Sequence, residues 1–182
     1  VFINGNATNG GAIYSTGQIT LNNVTFISNN AYSGGAIWAD GLLTLNNTTF
    51  ISNNAHYGGA IKYYDNVLNC INSRFIDNSA DESIYSSNAV LNICNSSVTS
   101  NKSCKYGQIF AFSSTVNIDN SDFINISSVY ASALYSEYCE ISITNSRFVN
   151  LTAEKSAGAI AIRGSSNSYI KGCKFVNTKS FK

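Results

Sequence analysis

A period of about 24 residues constrains the fold of this chain more than any other feature of its sequence. Residues 21–37 read LNNVTFISNNAYSGGAI, and residues 45–61 read LNNTTFISNNAHYGGAI. Phe26 and Phe50 hold the same place in these two segments, 24 residues apart. The position recurs, at steps of 23 to 27 residues, as Phe2, Phe26, Phe50, Phe75, Val98, Phe123, Phe148 and Phe175.

Two further apolar series keep the same period. One ends the GGAI motif (Ile13, Ile37, Ile61, Ile84, Ile109, Leu134, Ile160), and the other lies five residues before each Phe (Leu21, Leu45, Cys70, Ile93, Ile118, Ile143, Ile170). Each period thus holds three short apolar segments separated by Gly, Asn and Ser, which is typical of strands joined by bends. One turn cannot bury its own apolar side, but stacked turns form a continuous core.

The repeat therefore predicts an all-β protein, a right-handed single-stranded parallel β-helix of about seven turns of 23–27 residues with three strands per turn. We expect a single domain, residues 1–182, cut from a longer surface protein. Regular turns are predicted for residues 1–80. Degenerate turns are predicted for 81–182, because the Gly–Gly pairs Gly10–Gly11, Gly34–Gly35 and Gly58–Gly59 give way there to Glu82–Ser83, Gly107–Gln108 and Ser132–Ala133.

Alternation predicts that the three apolar series point inward and stack on their own kind. An Asn recurs three residues before the Phe position, at a bend. We predict that these residues form a structural ladder, facing inward with side-chain amides bonded from turn to turn: Asn23, Asn47, Asn72, Asn95, Asn120 and Asn145.

The paired motifs FISNNA and GGAI resemble the FxxN and GGA(I/L/V) repeats of polymorphic outer-membrane proteins of chlamydiae. They are even more similar to repeats of the Asn-rich adhesin-like surface proteins of methanogenic archaea. The resemblance covers nearly the whole chain, is strong over residues 26–61 and becomes degenerate from about residue 80. It implies a pectin-lyase-like β-helix, display on the cell surface and a role in adhesion, but it assigns no catalytic residue.

Catalysis on polysaccharides, which some β-helix proteins perform, requires clustered carboxylates with basic residues nearby. Asp40 and Asp65 each lie ten residues before their Phe, so we expect them on adjacent turns, as a weak candidate pair for Ca²⁺. The next turns have Asn88, Ser113 and Tyr138 at that place, and no Lys or Arg recurs beside it. The sequence therefore predicts a protein that is not an enzyme and needs no cofactor.

The residue after each GGAI-type Ile is expected to point outward. Five of the seven residues of this series are aromatic, which predicts an aromatic stripe along one face: Tyr14, Trp38, Lys62, Tyr85, Phe110 and Tyr135, followed by Ala161. Exposed rings can stack on sugars or anchor a protein partner, whereas rings stacked on one another only stabilise the solenoid. The sequence is compatible with both roles of these rings.

A second face is expected to be polar, with Thr20, Thr44, Asn69, Asn92, Asn117 and Ser142 outward. N-x-S/T sequons in bends after the Phe strand give four glycosylation candidates, Asn6, Asn101, Asn125 and Asn150. Sequons at Asn23, Asn47 and Asn95 are predicted to be unmodified because that ladder should face inward.

Five cysteines, none in CxxC spacing, favour either buried reduced thiols or one or two disulfides with at least one thiol left over. The net charge of +1 gives no reason to expect binding to nucleic acid. No apolar run reaches the roughly 20 residues of a membrane helix, so this segment is not expected to insert directly into a bilayer.

The sequence leads to a non-enzymatic extracellular module, adhesin-like or stalk-like, which presents an elongated surface to a cell-surface glycan, a protein or the matrix. The first alternative is a structural subunit that joins copies of itself end to end in an extracellular filament or coat, since solenoid ends expose unpaired strands. The second is a degenerate polysaccharide lyase or hydrolase.

Overall fold

The chain folds into a stack of parallel strands. A computed structural model describes residues 1–165 and 167–181, in which there are 24 strands and no helix. Every strand pairs in parallel with the strand one turn before or after it. At about 4.8 Å per strand, the seven steps of the largest sheet rise roughly 34 Å. The predicted all-β parallel solenoid of about seven turns is therefore confirmed.

The eight-stranded sheet contains the recurring Phe position and is called the Phe sheet. Its strands are β1 (Phe2–Ile3), β5 (Thr25–Ile27), β9 (Thr49–Ile51), β12 (Arg74–Ile76), β15 (Ser97–Thr99), β18 (Asp122–Ser128), β21 (Arg147–Ala153) and β24 (Lys174–Ser180). The last three strands have seven residues each, whereas the four before them have three.

The Ile sheet follows the GGAI motif. Its strands are β3 (Ile13–Ser15), β7 (Ile37–Ala39), β10 (Ile61–Tyr64), β13 (Ile84–Ser87), β16 (Ile109–Phe112), β19 (Leu134–Glu137) and β22 (Ile160–Arg163). A short additional pair, β2 (Asn6–Asn9) and β6 (Asn30–Ser33), precedes it in the first turns.

The Leu sheet closes each turn. Its strands are β4 (Ile19–Asn22), β8 (Leu43–Asn46), β11 (Val67–Ile71), β14 (Val90–Cys94), β17 (Thr115–Asp119), β20 (Glu140–Thr144) and β23 (Ser168–Lys171). The three long sheets alternate along the chain, so each turn contributes one strand to each.

The three predicted apolar series stack on themselves through the interior and form most of the core, although Phe2, Ile170 and Phe175 in the end turns are exposed. Phe26, Phe50 and Phe75 stack face to face, with ring centres 4.9 Å apart. Phe123 and Phe148 form a second stack at 5.2 Å. Val98 stands between the two stacks, level with Phe75 on one side and Phe123 on the other, and interrupts the aromatic column.

The predicted inward orientation of the Asn23 series is wrong. These residues are exposed and occupy the left-handed backbone region, with φ between 46° and 57°, at the corner between the Leu sheet and the Phe sheet: Asn23, Asn47, Asn72, Asn95, Asn120 and Asn145. Asn tolerates this conformation better than other residues with a side chain, apart from Asp. Amides do bond between some turns, as from Asn47 to Asn23 at 2.7 Å, but they do so on the outside.

The inward asparagine ladder belongs to a different series, three residues after each Phe. Asn29, Asn53 and Asn78 are buried, and each amide donates to the next Oδ1 at 2.9 Å. The Oδ1 of Asn53 also accepts the backbone N–H of Asn29 at 3.0 Å. Asn53 Nδ2 donates in addition to the carbonyl of Phe26, at 3.1 Å. The ladder thus pairs backbone groups that the corner removes from the sheet.

Hydroxyl groups form a similar ladder behind the exposed Asn corner. Thr48, Ser73, Ser96, Ser121 and Ser146 are buried. The backbone N–H of each of the first four is accepted by the side-chain oxygen of the next, at 3.0–3.3 Å. At the exposed Asn corner, and at the corner after Phe26, Phe50 and Phe75, a left-handed residue is therefore followed by an inward polar side chain that accepts a hydrogen bond from the turn before it.

The Gly pairs of the GGAI motif have two separate roles. Gly10, Gly34 and Gly58 have φ of 60°, 68° and 63°, so the first member of each pair occupies the left-handed region that favours glycine. The second member is needed for close approach, because a Cβ on Gly35 would lie 2.1 Å from the carbonyl oxygen of Gly59.

Candidate functional site

The aromatic stripe lies on the outer face of the Ile sheet. Its six residues are paired in register from turn to turn: Tyr14, Trp38, Lys62, Tyr85, Phe110 and Tyr135. The residue that ends each GGAI motif points inward. Because side chains alternate along a strand, the residue that follows it points outward. The order of this row is as the sequence predicted.

Exposure along the stripe is uneven. Tyr14 is 57% exposed, and its ring stacks on the half-buried Trp38 with centres 4.6 Å apart and planes 14° from parallel. Tyr135, at the other end, is only 3% exposed. The interpretation of the whole stripe as an open surface is therefore wrong for Tyr135, because neighbouring rings cover it.

Lys62 in the middle of the stripe is surrounded by tyrosines. Its Nζ lies 4.6 Å from the ring centre of Tyr57, 5.4 Å from that of Tyr64 and 5.2 Å from that of Tyr85. Burial lowers the pKa of Lys62, while the charge of Glu82 acts in the opposite direction. These ring faces already hold an internal cation, which reduces their availability to a ligand.

A second set of rings covers the far end of the stripe. Tyr106 stacks on Tyr130 with centres 5.6 Å apart, and both lie within 5.8 Å of the Tyr135 ring centre. Cations lie over these rings as well: Lys105 over Tyr106, Lys155 over Tyr130 and Arg163 over Tyr135, at 4.8–5.5 Å. This end is a self-stacked aromatic cluster.

Four further tyrosines of this face were not identified from the sequence. Tyr32, Tyr57, Tyr106 and Tyr130 lie just before strands of the Ile sheet, and they add rings beside the stripe. Their spacing contained the signal: Tyr32 and Tyr57 are 25 residues apart, and Tyr106 and Tyr130 are 24 apart. The aromatic face therefore has a second row of rings beside the stripe, and its exposed part lies around Tyr14, Trp38 and Tyr32.

Glu82 lies at the middle of this face, where the first GGAI glycine stands in earlier turns. It is 1% exposed and the only acidic side chain among residues 1–165 and 167–181 that is fully buried. Its Oε1 accepts the N–H of Gly58 at 2.9 Å. Burial raises the pKa of Glu82 to about 7, although the Gly58 bond and the nearby charge of Lys62 favour the ionised form.

Asp40 and Asp65 are not at matching positions. Ala39 pairs with Tyr63, so the residue level with Asp40 is Tyr64, and Asp65 follows as an exposed left-handed corner residue with φ of 58°. Over the described part of the chain, no group of three or more His, Cys, Asp or Glu side chains is placed to hold a metal ion.

The glycosylation candidates Asn6, Asn101, Asn125 and Asn150 are all exposed. Asn125 and Asn150 have φ of 57° and 55°, and their amides form a further outer ladder, in which Asn150 Nδ2 donates to Asn125 Oδ1 at 3.0 Å. The reason for excluding Asn23, Asn47 and Asn95 was wrong, because those residues are exposed too.

All five cysteines carry free thiols. Cys70 takes a place in the inward Leu series, and burial raises the pKa of its thiol. Burial also raises the pKa of Cys104, to about 12. Cys139 accepts the N–H of Ser114 at 3.4 Å, as a hydroxyl does at equivalent corners. Of the two alternatives, the structure has packed, reduced thiols.

Comparisons of the chain with protein-family models, with curated proteins and with solved structures found no match. Within residues 1–165 and 167–181, there is no helix with the length and apolar character needed to cross a bilayer.

Proposed function

We propose that this chain is a non-enzymatic, adhesin-like extracellular module, which uses the open end of its aromatic stripe to bind a partner on a cell surface or in the matrix. The single observation that carries the proposal is the Tyr14–Trp38 pair. Its rings stack at 4.6 Å on the outside of a rigid sheet, and Tyr14 is more than half exposed. Exposed aromatic residues on rigid elements are preferred anchors in recognition.

The distribution of cations supports this location within the stripe. Lys or Arg groups lie over the rings of Tyr57, Tyr64, Tyr85, Tyr106, Tyr130 and Tyr135. Among the described residues, no such contact involves Tyr14 or Trp38. The ring surface that the Tyr14–Trp38 stack leaves exposed is thus not covered by a cation, whereas those six rings are engaged by cations within the protein.

The motif resemblance supports the same class of function. The FxxN and GGAI repeats maintain a straight, stacked scaffold, because the Asn of FxxN forms the buried ladder and the Gly residues allow close approach of turns. Such a scaffold presents outward side chains at a regular spacing of about 4.8 Å. On the Ile sheet the outward residue differs from turn to turn, whereas the inward residue is Ile or Leu in every turn, which is the expected division between recognition surface and scaffold.

A glycan array and a cell-binding assay test the proposal with Tyr14→Ala and Trp38→Ala. We expect each variant to lose about tenfold or more in affinity, as is usual for a central aromatic anchor. Tyr138→Ala is the matched control, because Tyr138 is 66% exposed but lies at a corner outside the stripe. Equal binding by the wild type and both stripe variants would remove this surface from the proposal.

A further inference from the structure

A shallow groove crosses the outer face of the Leu sheet, away from the aromatic stripe. It lies over β17, β20 and β23 and is lined by Thr115, Asn117, Glu140, Ser142, Asn167 and Tyr169. The groove exists because of one small side chain. Ser142 is level with Asn117 on one side and Tyr169 on the other, so it leaves a gap between two larger residues.

Tyr169 offers an aromatic surface at one side of this gap. It points outward from β23 and is 50% exposed. No other ring stacks on it, and no cation lies over it, among the contacts of the described residues. An exposed ring of this kind can pack against the C–H face of a ligand while its phenolic hydroxyl stays in water.

The opposite side of the gap is the end of a hydrogen-bonded chain. Asn69 donates to Thr44, Asn92 to Asn69 at 2.8 Å and Asn117 to Asn92 at 2.9 Å. Every amide donates toward the preceding turn, so the chain ends in Asn117. In the described part of the protein, no donor bonds to Asn117 Oδ1. Because such chains polarise their members, this oxygen is a strong acceptor for a hydroxyl group.

The charge of the lining selects among ligands. Glu140 is the only ionisable acid or base in the lining, and it is exposed, so an anionic ligand is repelled. The other polar groups are hydroxyls and amides, which can both donate and accept hydrogen bonds. A ligand that fits needs an apolar C–H face for Tyr169 and several hydroxyls for Asn117, Glu140 and Ser142.

We infer that this groove is a binding site for one neutral pyranose ring. The sugar ring packs on Tyr169, and its hydroxyl groups donate to Asn117 Oδ1 and to the Glu140 carboxylate. This site goes beyond the proposed function, since it lies on another sheet and shares no residue with the aromatic stripe. Affinity for a single sugar is expected in the millimolar range, because the groove is open and few groups are engaged.

Saturation-transfer NMR with methyl pyranosides of glucose, galactose and mannose tests the site, with methyl glucuronide as an anionic comparator. We expect transfer to at least one neutral pyranoside and an about tenfold weaker interaction in Tyr169→Ala. Ser142→Trp provides a second variant, because it fills the gap between Asn117 and Tyr169 and also removes the Ser142 hydroxyl. Tyr138→Ala is the control, because Tyr138 is exposed but lies outside the groove, and it should bind as the wild type does. Tyr14→Ala is measured as well, to show whether any sugar binds to the aromatic stripe instead.

Thermal unfolding of each variant verifies that the fold is retained. The inference is overturned if no neutral pyranoside binds, if Tyr169→Ala and Ser142→Trp both bind unchanged, or if glucuronide binds better than the neutral sugars. Loss of sugar binding in Tyr14→Ala, with retention in Tyr169→Ala, would assign the sugar to the aromatic stripe and so separate the failure of this inference from that of the proposed function.

Discussion

The corner after the Phe sheet is built in two different ways in the two halves of the solenoid. In the first half, strands β5, β9 and β12 end one residue after Phe, and the buried amides of Asn29, Asn53 and Asn78 pair the backbone. In the second half, strands β18, β21 and β24 are each seven residues long and continue through the corner. The buried position three residues after Phe is occupied there by Ile126 and Leu151.

The difference shows that a left-handed residue alone makes the corner. Ser28 and Ser52 in the first half, and Asn125 and Asn150 in the second, all have φ between 53° and 57°. The pairing of the backbone then determines which side chain can point inward after the corner. Where the strand ends before the corner, the buried Asn side chains accept hydrogen bonds from the backbone N–H groups that the strand no longer pairs. Where strand pairing continues through the corner, as between Ile126 and Leu151, the backbone is already paired and the inward side chain can be apolar.

The turn between the two halves has neither the buried amide nor the continued strand. Val98 replaces Phe there, β15 ends at Thr99, and Asn101, at the place of the ladder Asn, is exposed. Its N–H donates instead to Asp77 Oδ1 at 2.7 Å. The change of corner chemistry thus falls between Asn78, the last amide of the buried ladder, and Ile126, the first apolar residue at that position.

The sharpest test of the comparison is Leu151→Asn, which places the amide of the first half in the apolar corner of the second. Leu151 is buried between Ile126, which offers no side-chain partner, and Thr178, whose single hydroxyl can pair only part of an amide. We expect a loss of about 3–5 kcal/mol in the free energy of unfolding, from lost apolar burial and an incompletely paired amide. Urea denaturation measures it. Thr152→Asn, half-buried and outward, is the control and should change stability by less than about 0.5 kcal/mol.

The reverse substitution, Asn53→Leu, places an apolar side chain at the buried position and removes the amide that joins Asn29 to Asn78. It leaves the N–H of Asn29, the carbonyl of Phe26 and the Oδ1 of Asn78 each short of a partner. The expected loss is about 2–4 kcal/mol, again by urea denaturation. Asn54→Leu, at the exposed neighbouring position, is the matched control. If both variants unfold at the wild-type midpoint, the amide ladder is not what stabilises the first half.

Glu82 lies near the junction of the halves and makes stability depend on pH. Because burial raises its pKa from 4.5 to about 7, the folded state favours the protonated form. Stability should therefore fall as pH rises from about 4.5 to about 7 and stay lower above that range. Glu82→Gln keeps an acceptor for Gly58 without the charge.

At pH 8, Glu82→Gln should be more stable than the wild type by up to about 3 kcal/mol, and at pH 4 the two should be similar. Thermal unfolding across this pH range measures the difference. Glu154→Gln is the control, since Glu154 is exposed and its charge is not among those that act on Glu82; it should change stability by less than about 0.5 kcal/mol at either pH. A pH-independent gain would mean that Glu82 does not titrate in this range.

Periodicity was enough to predict the inward Phe, Ile and Leu series and the row order of the aromatic stripe. It failed for the Asn23 series because strict alternation from Leu45 makes Asn47 inward. The left-handed φ of Asn47 shifts the alternation by one residue, so Thr48 points inward instead. Coverage of Tyr135 also could not be predicted, since it depends on Tyr106 and Tyr130, which come from loops whose paths the period does not determine.

The smallest expected effect concerns the corner between the Ile and Leu sheets. Asn88, Ser113 and Tyr138 occupy left-handed conformations there, with φ of 53°, 48° and 56°. Tyrosine is poorly suited to this region, whereas Asn is tolerated. Tyr138→Asn should therefore stabilise the protein by about 0.5–1 kcal/mol in thermal unfolding, less whatever the edge contact of its ring with Phe112 contributes. Asn88→Tyr is the reverse change, two turns earlier in the same corner series, and should destabilise the protein by a similar amount. A loss of stability in Tyr138→Asn would mean that the ring contact with Phe112 outweighs the backbone strain.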